Sequence, residues 1–167
     1  MNKNFLLSLF VKQNVKYKIY DHVALNSVEE SLNKRGKIIG AHTKNLFLKN
    51  KKNQFFLFSC LETTLIDLKK LKKQLNVGNI SFAKNEFLKS LLGVKPGAVT
   101  PFGLINDVKN EVNYYLDKNI IHYKQVNFHP LVNTSTVTLE TKDFLKFMKA
   151  NNKLVNIYNF DNYTLVK

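Results

Sequence analysis

The chain has 167 residues, 44% of them hydrophobic and 23% charged, which is enough for one domain with a proper core. Its 26 basic and 12 acidic side chains give a net charge of +14, which favours a polyanionic partner such as a nucleic acid. No apolar run reaches the length that spans a bilayer, and a single cysteine, Cys60, excludes both an intramolecular disulfide and a multi-cysteine zinc site. We therefore expect a cytoplasmic protein without a membrane segment.

The positive charge has a second interpretation. Arg35 is the only arginine, and the other basic residues are lysines. An A/T-rich gene favours lysine and asparagine codons whatever the function, so charge alone leaves nucleic-acid binding as one of two explanations.

The first half of the chain predicts alternating helices and strands. Residues 4–12 are predicted to be helical, and alternation at Val15, Tyr17 and Ile19 predicts a strand. Ser27 and Glu30 have the spacing of a capping box, which predicts a second helix ending near Arg35. Beyond it we expect strands at 46–48 and 55–60 joined by a charged turn at 50–54, then a helix at 67–75 with leucines on one face and lysines between them.

The second half continues this mixture. We expect strands at 80–83, 112–116, 134–139 and 154–158, a strand-like segment at 103–106, and extended segments at 120–121 and 126–128. Two helices are expected between them. Asn85 caps the first, which Gly93 terminates, and Thr141 caps the second, which runs to about residue 150. Helices and hairpin strands are interspersed, so the pattern predicts one mixed α/β domain over residues 1–167 and no doubly wound parallel sheet.

Residues 93–106 hold two of the three prolines and three of the six glycines. This composition predicts a rigid, non-helical loop, with a turn at Pro96-Gly97 and an extended segment before Pro101. We call residues 93–103 the Pro/Gly loop. The amides of Gly97, Ala98 and Thr100 are candidate hydrogen-bond donors to a ligand, and a purely structural connector is the alternative.

Common catalytic motifs are missing from the sequence. There is no Walker loop, no dinucleotide-binding glycine fingerprint and no nucleophile elbow, and the four histidines lie far apart with no metal-ligand spacing. We therefore expect neither a metal nor a cofactor. The remaining polar segments are residues 42–45, the Pro/Gly loop and residues 127–136, which together offer a cation, amide donors and a histidine.

Three motifs carry a resemblance to a known family. They are His-Thr-Lys-Asn-Leu-Phe-Leu at 42–48, Gly-Val-Lys-Pro-Gly-Ala-Val-Thr-Pro-Phe-Gly at 93–103 and Phe-His-Pro-Leu-Val-Asn-x-x-Thr at 128–136. In this order they resemble the YbaK/ProX family, and more narrowly its freestanding prolyl-tRNA editing domains. The resemblance implies a single α/β domain with a largely antiparallel, barrel-like sheet flanked by helices, no metal, and hydrolysis of the ester that joins an amino acid to the terminal adenosine of tRNA.

The resemblance also implies roles for individual residues. Lys44 and Asn45 align with the essential lysine of the family and its neighbouring asparagine, which are the expected catalytic residues. Lys44 is expected to contact the terminal phosphate or the ester carbonyl. The expected substrate-binding residues are Gly97, Ala98, Thr100, Pro101, Phe102, His129 and Asn133.

The expected activity is trans-editing of mischarged tRNA(Pro), with alanine as the amino acid removed. Because each methylene contributes only about 1–3 kcal/mol to binding, proline must be excluded by size, which predicts a small pocket bordered by Ala98, Thr100, Phe102 and His129. Removal of cysteine or serine, and a non-catalytic tRNA-binding module, are the alternatives.

The expected partner is the acceptor end of tRNA, with transient contact to prolyl-tRNA synthetase or an elongation factor, and the protein is expected to be a monomer. Candidate contacts to the acceptor stem are the helical lysines Lys69, Lys70, Lys72 and Lys73. A merely solvated basic face is the alternative interpretation of these four.

Overall fold

The computed structural model describes residues 1–24 and 37–166. The helix predicted to begin at Ser27 lies outside the described residues. Helices within them are α1 (Lys3–Lys12), α2 (Leu68–Leu75), α3 (Asn85–Phe87, continued by a π-helix at Leu88–Leu92), α4 (Lys118–Ile121), α5 (Thr141–Ala150) and a 3-10 helix at Pro101–Asn106. The strands are β1 (Tyr17–Asp21), β2 (Ala41–Asn50), β3 (Phe55–Leu61), β4 (Ile80–Phe82), β5 (Val112–Asp117), β6 (Gln125–Phe128), β7 (Ser135–Glu140), β8 (Asn156–Asn159) and β9 (Thr164–Leu165).

The strands form one mixed sheet in the order β1-β7-β6-β2-β3-β5-β8-β9, with β4 added to β2. Pairing is antiparallel for β1/β7, β2/β3, β2/β4, β6/β7 and β8/β9, and parallel for β2/β6, β3/β5 and β5/β8. The predicted fold class, a mixed α/β domain with a large and largely antiparallel sheet flanked by helices, is confirmed.

Strand β2 joins the two halves of this sheet. Its first residues, Ala41 and His42, pair with β6, whereas Leu48 to Asn50 at its other end pair with β4. Along its opposite edge, Thr43 to Lys49 pair with β3. One strand therefore carries the predicted residues 42–45 and is held on both sides.

The sheet separates two apolar clusters. The first is built around the rings of Phe10, Phe102, Phe128, Phe144 and Phe147, whose centroids lie 4.8–5.9 Å apart where they touch. The second contains Leu48, Phe58, Leu71, Tyr158 and Phe160. Since successive side chains of a strand point to opposite faces, β2 and β3 contribute to both clusters and are apolar over most of their length.

Several predicted boundaries differ from the structure for local reasons. Residues 103–106 form part of a 3-10 helix instead of a strand, because Pro101 occupies a first-turn position and the Thr100 hydroxyl accepts from the Phe102 amide at 3.4 Å. Ile120 and Ile121 lie in α4, which Asp117 caps by accepting from the Asn119 amide at 2.9 Å. The predicted caps Asn85 and Thr141 are instead the first residues of their helices.

Among the described residues, no helix combines the length and apolarity needed to cross a membrane. The same part of the chain contains no group of three or more His, Cys, Asp or Glu side chains positioned to hold a metal ion.

Candidate active site

A small polar cavity lies where β2, β6 and β7 meet. Its volume is about 30 Å³, which is room for about two water molecules. The residues that line it are His42, Thr43, Asn45, Asn127, Phe128, His129 and Thr136. All of them come from two of the three polar segments that the sequence singles out, residues 42–45 and 127–136.

Two histidines line this cavity, and each has one ring nitrogen at a backbone carbonyl. His42 Nε2 lies 2.7 Å from Ile38 O. His129 Nδ1 lies 2.9 Å from the carbonyl oxygen of Ser135, so Nδ1 carries the proton and donates it. Burial lowers the pKa of His129 from its ordinary value, which keeps the ring neutral at pH 7. The lone pair of the neutral ring is therefore on Nε2, which makes no hydrogen bond to any described residue.

The turn after His129 is held in an uncommon backbone conformation. Leu131 has a φ of +68°, in the left-handed region that a leucine seldom occupies, and its side chain is 5% exposed. Such a conformation persists only where the surroundings enforce it, and buried contacts of the Leu131 side chain do so here. The backbone that precedes His129 is the buried strand β6, so the imidazole is fixed from both directions.

Asn45 connects the cavity to the Pro/Gly loop. Its Nδ2 donates to the carbonyl oxygen of Val99 at 3.0 Å, and its Oδ1 accepts from the Ser59 hydroxyl at 2.5 Å. These two bonds fix the amide orientation, because a flipped amide would place two oxygens against each other at Val99. The structure thus brings the predicted residue Asn45 to the predicted loop.

The opposite wall is held by hydrogen bonds that centre on Asn127. The Thr43 hydroxyl donates to the Asn127 carbonyl oxygen at 2.7 Å, and the Asn127 Nδ2 donates to Ile39 O at 2.9 Å. The Thr138 hydroxyl donates to Asn127 Oδ1. Asn127 is 3% exposed, so its polar atoms are satisfied inside the protein and serve to build the wall.

Lys44 lies on the other side of β2. Its Nζ donates to the carbonyl oxygen of Thr64, whose hydroxyl in turn donates to Asp117 Oδ2 at 3.1 Å. Leu46 and Leu48, which share its face of the strand, pack in the second apolar cluster. Because side-chain alternation sends adjacent residues of a strand to opposite faces, the Lys44 ammonium does not join Asn45 and His129 at the cavity.

The Pro/Gly loop supports the site without forming the cavity wall. Pro96 and Gly97 make the predicted turn, with Gly97 at a φ of +82° and the Ala98 amide donating to Lys95 O at 3.1 Å. That bond occupies one of the amides expected to face a ligand. Thr100 and Phe102 are 0% exposed. Ala98, Thr100 and Phe102 therefore do not border the cavity, because their side chains fill the core beneath it.

The remaining residues that the sequence predicts for the site do not line the cavity. Pro101 is buried in the first turn of the 3-10 helix, and Asn133 is half-buried in the turn before β7 and does not line the cavity. The four α2 lysines follow one another along an exposed helix, where Leu71 is the fully buried residue. Lys72 donates to Asn79 Oδ1 at 2.9 Å.

Sequence reasoning missed two residues that bear on the site. Ser59 and Tyr114 are 0% and 1% exposed and lie behind Asn45. The available signal was the polar Ser59 within the apolar run Phe55–Cys60, where a buried hydroxyl needs a partner.

Comparisons with known proteins show which domains and chains this one is similar to. Residues 22–147 match the aminoacyl-tRNA editing domain. The chain is 36% identical over 152 residues to the prolyl-tRNA synthetase associated domain-containing protein 1 of Mus musculus, covering 88% of this chain and 89% of that protein. It is 32% identical over 150 residues to the prolyl-tRNA editing protein ProX of Acetoanaerobium sticklandii, covering 89% and 92%.

A solved structure described as a candidate trans-editing enzyme for prolyl tRNA synthetase superposes with a TM-score of 0.67 at 18% identity, covering 92% of this chain and 93% of that one. At that identity the likeness shows the fold alone. The matched domain and the two relatives, each above 30% identity along most of both chains, show the family: this protein belongs to the YbaK/ProX family of aminoacyl-tRNA editing domains.

Proposed function

We propose that this chain is a trans-editing deacylase that hydrolyses the ester of mischarged tRNA(Pro), with alanyl-tRNA(Pro) as its preferred substrate. The observation that carries the proposal is the neutral His129 ring, which lines a small polar cavity within an aminoacyl-tRNA editing domain and whose Nδ1 is occupied by the carbonyl oxygen of Ser135. Residues 1–167 act as one editing domain in the cytoplasm, as a monomer, on the acceptor end of the tRNA.

The chemistry requires little from the protein. An aminoacyl ester is already activated, so the site has to orient a water molecule and the ester carbonyl. Nε2 of His129 accepts a hydrogen bond from that water, and the vicinal hydroxyl of the terminal ribose assists in its activation, as the family implies. The water oxygen forms a bond to the carbonyl carbon, and the bond from that carbon to the ribose oxygen breaks. One proton of the water passes to the ribose oxygen, which restores the free hydroxyl of the tRNA 3′ end, and the amino acid leaves with a new carboxylate as the other proton is released to solvent.

The size of the cavity supports selection of a small amino acid. About 30 Å³ lies between the side chains of Thr43, Asn45, His129 and Thr136. A methyl-sized side chain fits such a space better than a pyrrolidine ring does. Exclusion by size discriminates more strongly than a difference of one or two methylenes in binding. Removal of serine or cysteine remains the alternative within the same reaction class, since these side chains are also small.

Lys44 keeps a predicted role in binding the substrate. Its ammonium lies on the face of β2 opposite the cavity, one residue from Asn45, where a neutral carbonyl is its hydrogen-bond acceptor. We propose that it contacts the terminal phosphate of the tRNA, which would leave the ester to the cavity side. The net charge of +14 supports electrostatic attraction of the acceptor end.

The test is deacylation of a panel of charged tRNAs by the purified chain. We expect release of alanine from alanyl-tRNA(Pro), with little release of proline from prolyl-tRNA(Pro). Equal turnover of both would contradict the size sieve. Binding of tRNA without release of any amino acid would instead identify the non-catalytic tRNA-binding module.

A further inference from the structure

The hydroxyl of Ser59 begins a short chain of two hydrogen bonds, which we call the Ser59–Asn45 relay and which runs from the buried sheet to the Pro/Gly loop. Ser59 lies directly opposite Asn45 in the β2/β3 register, and it is 0% exposed. It donates to Asn45 Oδ1 at 2.5 Å, and Asn45 Nδ2 donates to Val99 O at 3.0 Å. Two hydrogen bonds therefore link a core strand to the backbone of the loop.

This relay determines the geometry of Asn45. An asparagine amide presents an oxygen on one side and two N–H donors on the other, and its two orientations are nearly equal in shape. With the Ser59 hydroxyl bound to Oδ1, the NH₂ group must face Val99 O. Without that hydroxyl, Oδ1 would be left without its partner in the interior and the amide could rotate away.

A second buried group stands behind Ser59. Among the described residues, the Tyr114 hydroxyl is the fully buried side-chain oxygen or nitrogen that has no hydrogen-bond partner. Ser59 interacts with it without reaching hydrogen-bond geometry. Burial raises the pKa of the Tyr114 phenol far above its ordinary value, so the group remains an O–H donor at neutral pH. A small shift would let it donate to Ser59 Oγ, whose own proton is committed to Asn45.

The hydrogen bond from Asn45 reaches the Pro/Gly loop at Val99. Val99 lies between the turn at Pro96-Gly97, which closes on itself through Ala98 N and Lys95 O, and the buried Thr100. The Asn45 bond joins this stretch to β2, and Asn45 also lines the cavity. The orientation of one amide is thus shared by the loop and by the cavity wall.

We infer that Ser59 is a positioning residue for deacylation, which acts by holding the Asn45 amide between Oγ of Ser59 and the carbonyl oxygen of Val99. This inference rests on the proposed function for its kinetic consequence, whereas its structural consequence does not depend on activity. Tyr114 supports Ser59 from behind.

Ser59→Ala is the direct test, with alanyl-tRNA(Pro) as substrate. We expect kcat to fall by on the order of 100-fold, since misplacement of site groups by about 1 Å costs that much, while KM changes little. In the Asn45→Ala background the same substitution should have no further effect on kcat, because Ser59 acts through Asn45. Additive losses in the double variant would overturn the inference.

A matched control separates this role from loss of any buried hydroxyl. Thr141 is 4% exposed, and its hydroxyl donates to Tyr123 O at 2.6 Å away from the cavity. Thr141→Val should lower the thermal stability as Ser59→Ala does and should leave kcat unchanged. Equal kcat for the two variants would also overturn the inference.

If the wild-type protein releases no amino acid from any tRNA, that result refutes the proposed function alone. An NMR measurement then still tests whether Ser59 holds the Asn45 amide. In the full chain, the side-chain NH₂ signals of Asn45 should be protected from solvent exchange, and Ser59→Ala should remove that protection and shift the amide signal of Thr100. Unchanged signals in Ser59→Ala would show that the hydroxyl does not hold the amide.

Discussion

The Nδ1 atom of His129 lies 2.9 Å from the carbonyl oxygen of Ser135, and this bond determines which ring nitrogen carries the proton. With the proton held at Nδ1, the lone pair of the neutral ring is at Nε2. A histidine that precedes a proline could merely cap a turn, but here the turn fixes the ring as an acceptor.

His129→Asn tests this acceptor. The Asn side-chain NH₂ can keep a donor near Ser135 O, but the substitution removes the atom that stands at Nε2. We expect the fold to persist and kcat for alanyl-tRNA(Pro) to fall by about 100-fold or more, the lower range for loss of a proton-accepting group. Circular dichroism and steady-state kinetics measure the two effects. Wild-type kcat in this variant would remove His129 from the mechanism.

The lowered pKa of His129 should also appear in the pH dependence of the free energy of unfolding. Because burial lowers the pKa of His129, the unfolded chain binds more protons at pH values between the folded pKa and about 6.5. Stability should therefore rise with pH through that window and level off above about 6.5, with a slope from this group of at most about 1.4 kcal/mol per pH unit. Urea unfolding of wild type and His129→Asn at several pH values isolates the effect, which should be absent in the variant. Parallel curves would contradict it.

Lys44→Ala should lower kcat/KM by about 10- to 100-fold, the range for loss of a charge-assisted hydrogen bond. If the ammonium contacts a tRNA phosphate, the loss should appear in KM and the salt dependence of log KM should weaken by about one phosphate contact. Lys49→Ala is the control on the same strand, since Lys49 donates to Asn53 and lies over the Phe87 ring. A kcat/KM of Lys44→Ala close to that of the wild type would refute the assignment.

Phe102 should behave as a core residue. Its ring is 0% exposed and packs edge-on against Phe10, Phe128 and Phe144. Phe102→Ala should lower the free energy of unfolding by about 3–5 kcal/mol, measured by chemical denaturation. Phe102→Leu, which is milder, should retain the preference for alanyl- over prolyl-tRNA. If Phe102→Leu lost the preference for alanyl-tRNA(Pro) over prolyl-tRNA(Pro) at unchanged stability, Phe102 would be shown to border the substrate pocket.

If the lysines of α2 contact tRNA, their contribution to binding should depend on the salt concentration and be largest at low salt. Lys69 and Lys73, one helical turn apart, have no carboxylate partner among the described residues, whereas Lys142 and Lys146 on α5 are paired with Glu140 and Asp143. Lys69→Gln/Lys73→Gln should raise KM at low salt and reduce its salt slope, while Lys142→Gln/Lys146→Gln should change KM less. Equal effects would indicate a solvated face instead of a contact.

The sequence predicted most elements because their signals are local. Alternation at Tyr17 and Ile19, the apolar run at 55–60 and the leucine spacing within 67–75 each specify an element without knowledge of the rest of the chain. The errors arose where a single hydrogen bond from a backbone amide to a side-chain oxygen determines the local conformation. The Thr100 hydroxyl caps residues 103–106 into a 3-10 helix, and the Asp117 carboxylate caps the short helix that contains Ile120.

The site was predicted in part for the same reason. The motifs located Asn45 and His129, but the partners Ser59 and Val99 are 14 and 54 residues from Asn45, and no local pattern encodes such pairings. The adjacent positions 44 and 45 were both expected to be catalytic because they align with neighbouring residues of the family motif. In a strand, neighbours point apart, so a shared motif does not imply a shared face.

Strand β2 is paired with three other strands, and the cavity residues His42, Thr43 and Asn45 belong to it. Thr43 and Asn45 pair with β3 in the middle of the sheet, where we expect the backbone amides to exchange with solvent more slowly than at the sheet edges. We therefore expect adjustment to an incoming aminoacyl group to come from side chains or from the segments around the strand, and not from melting of the strand itself.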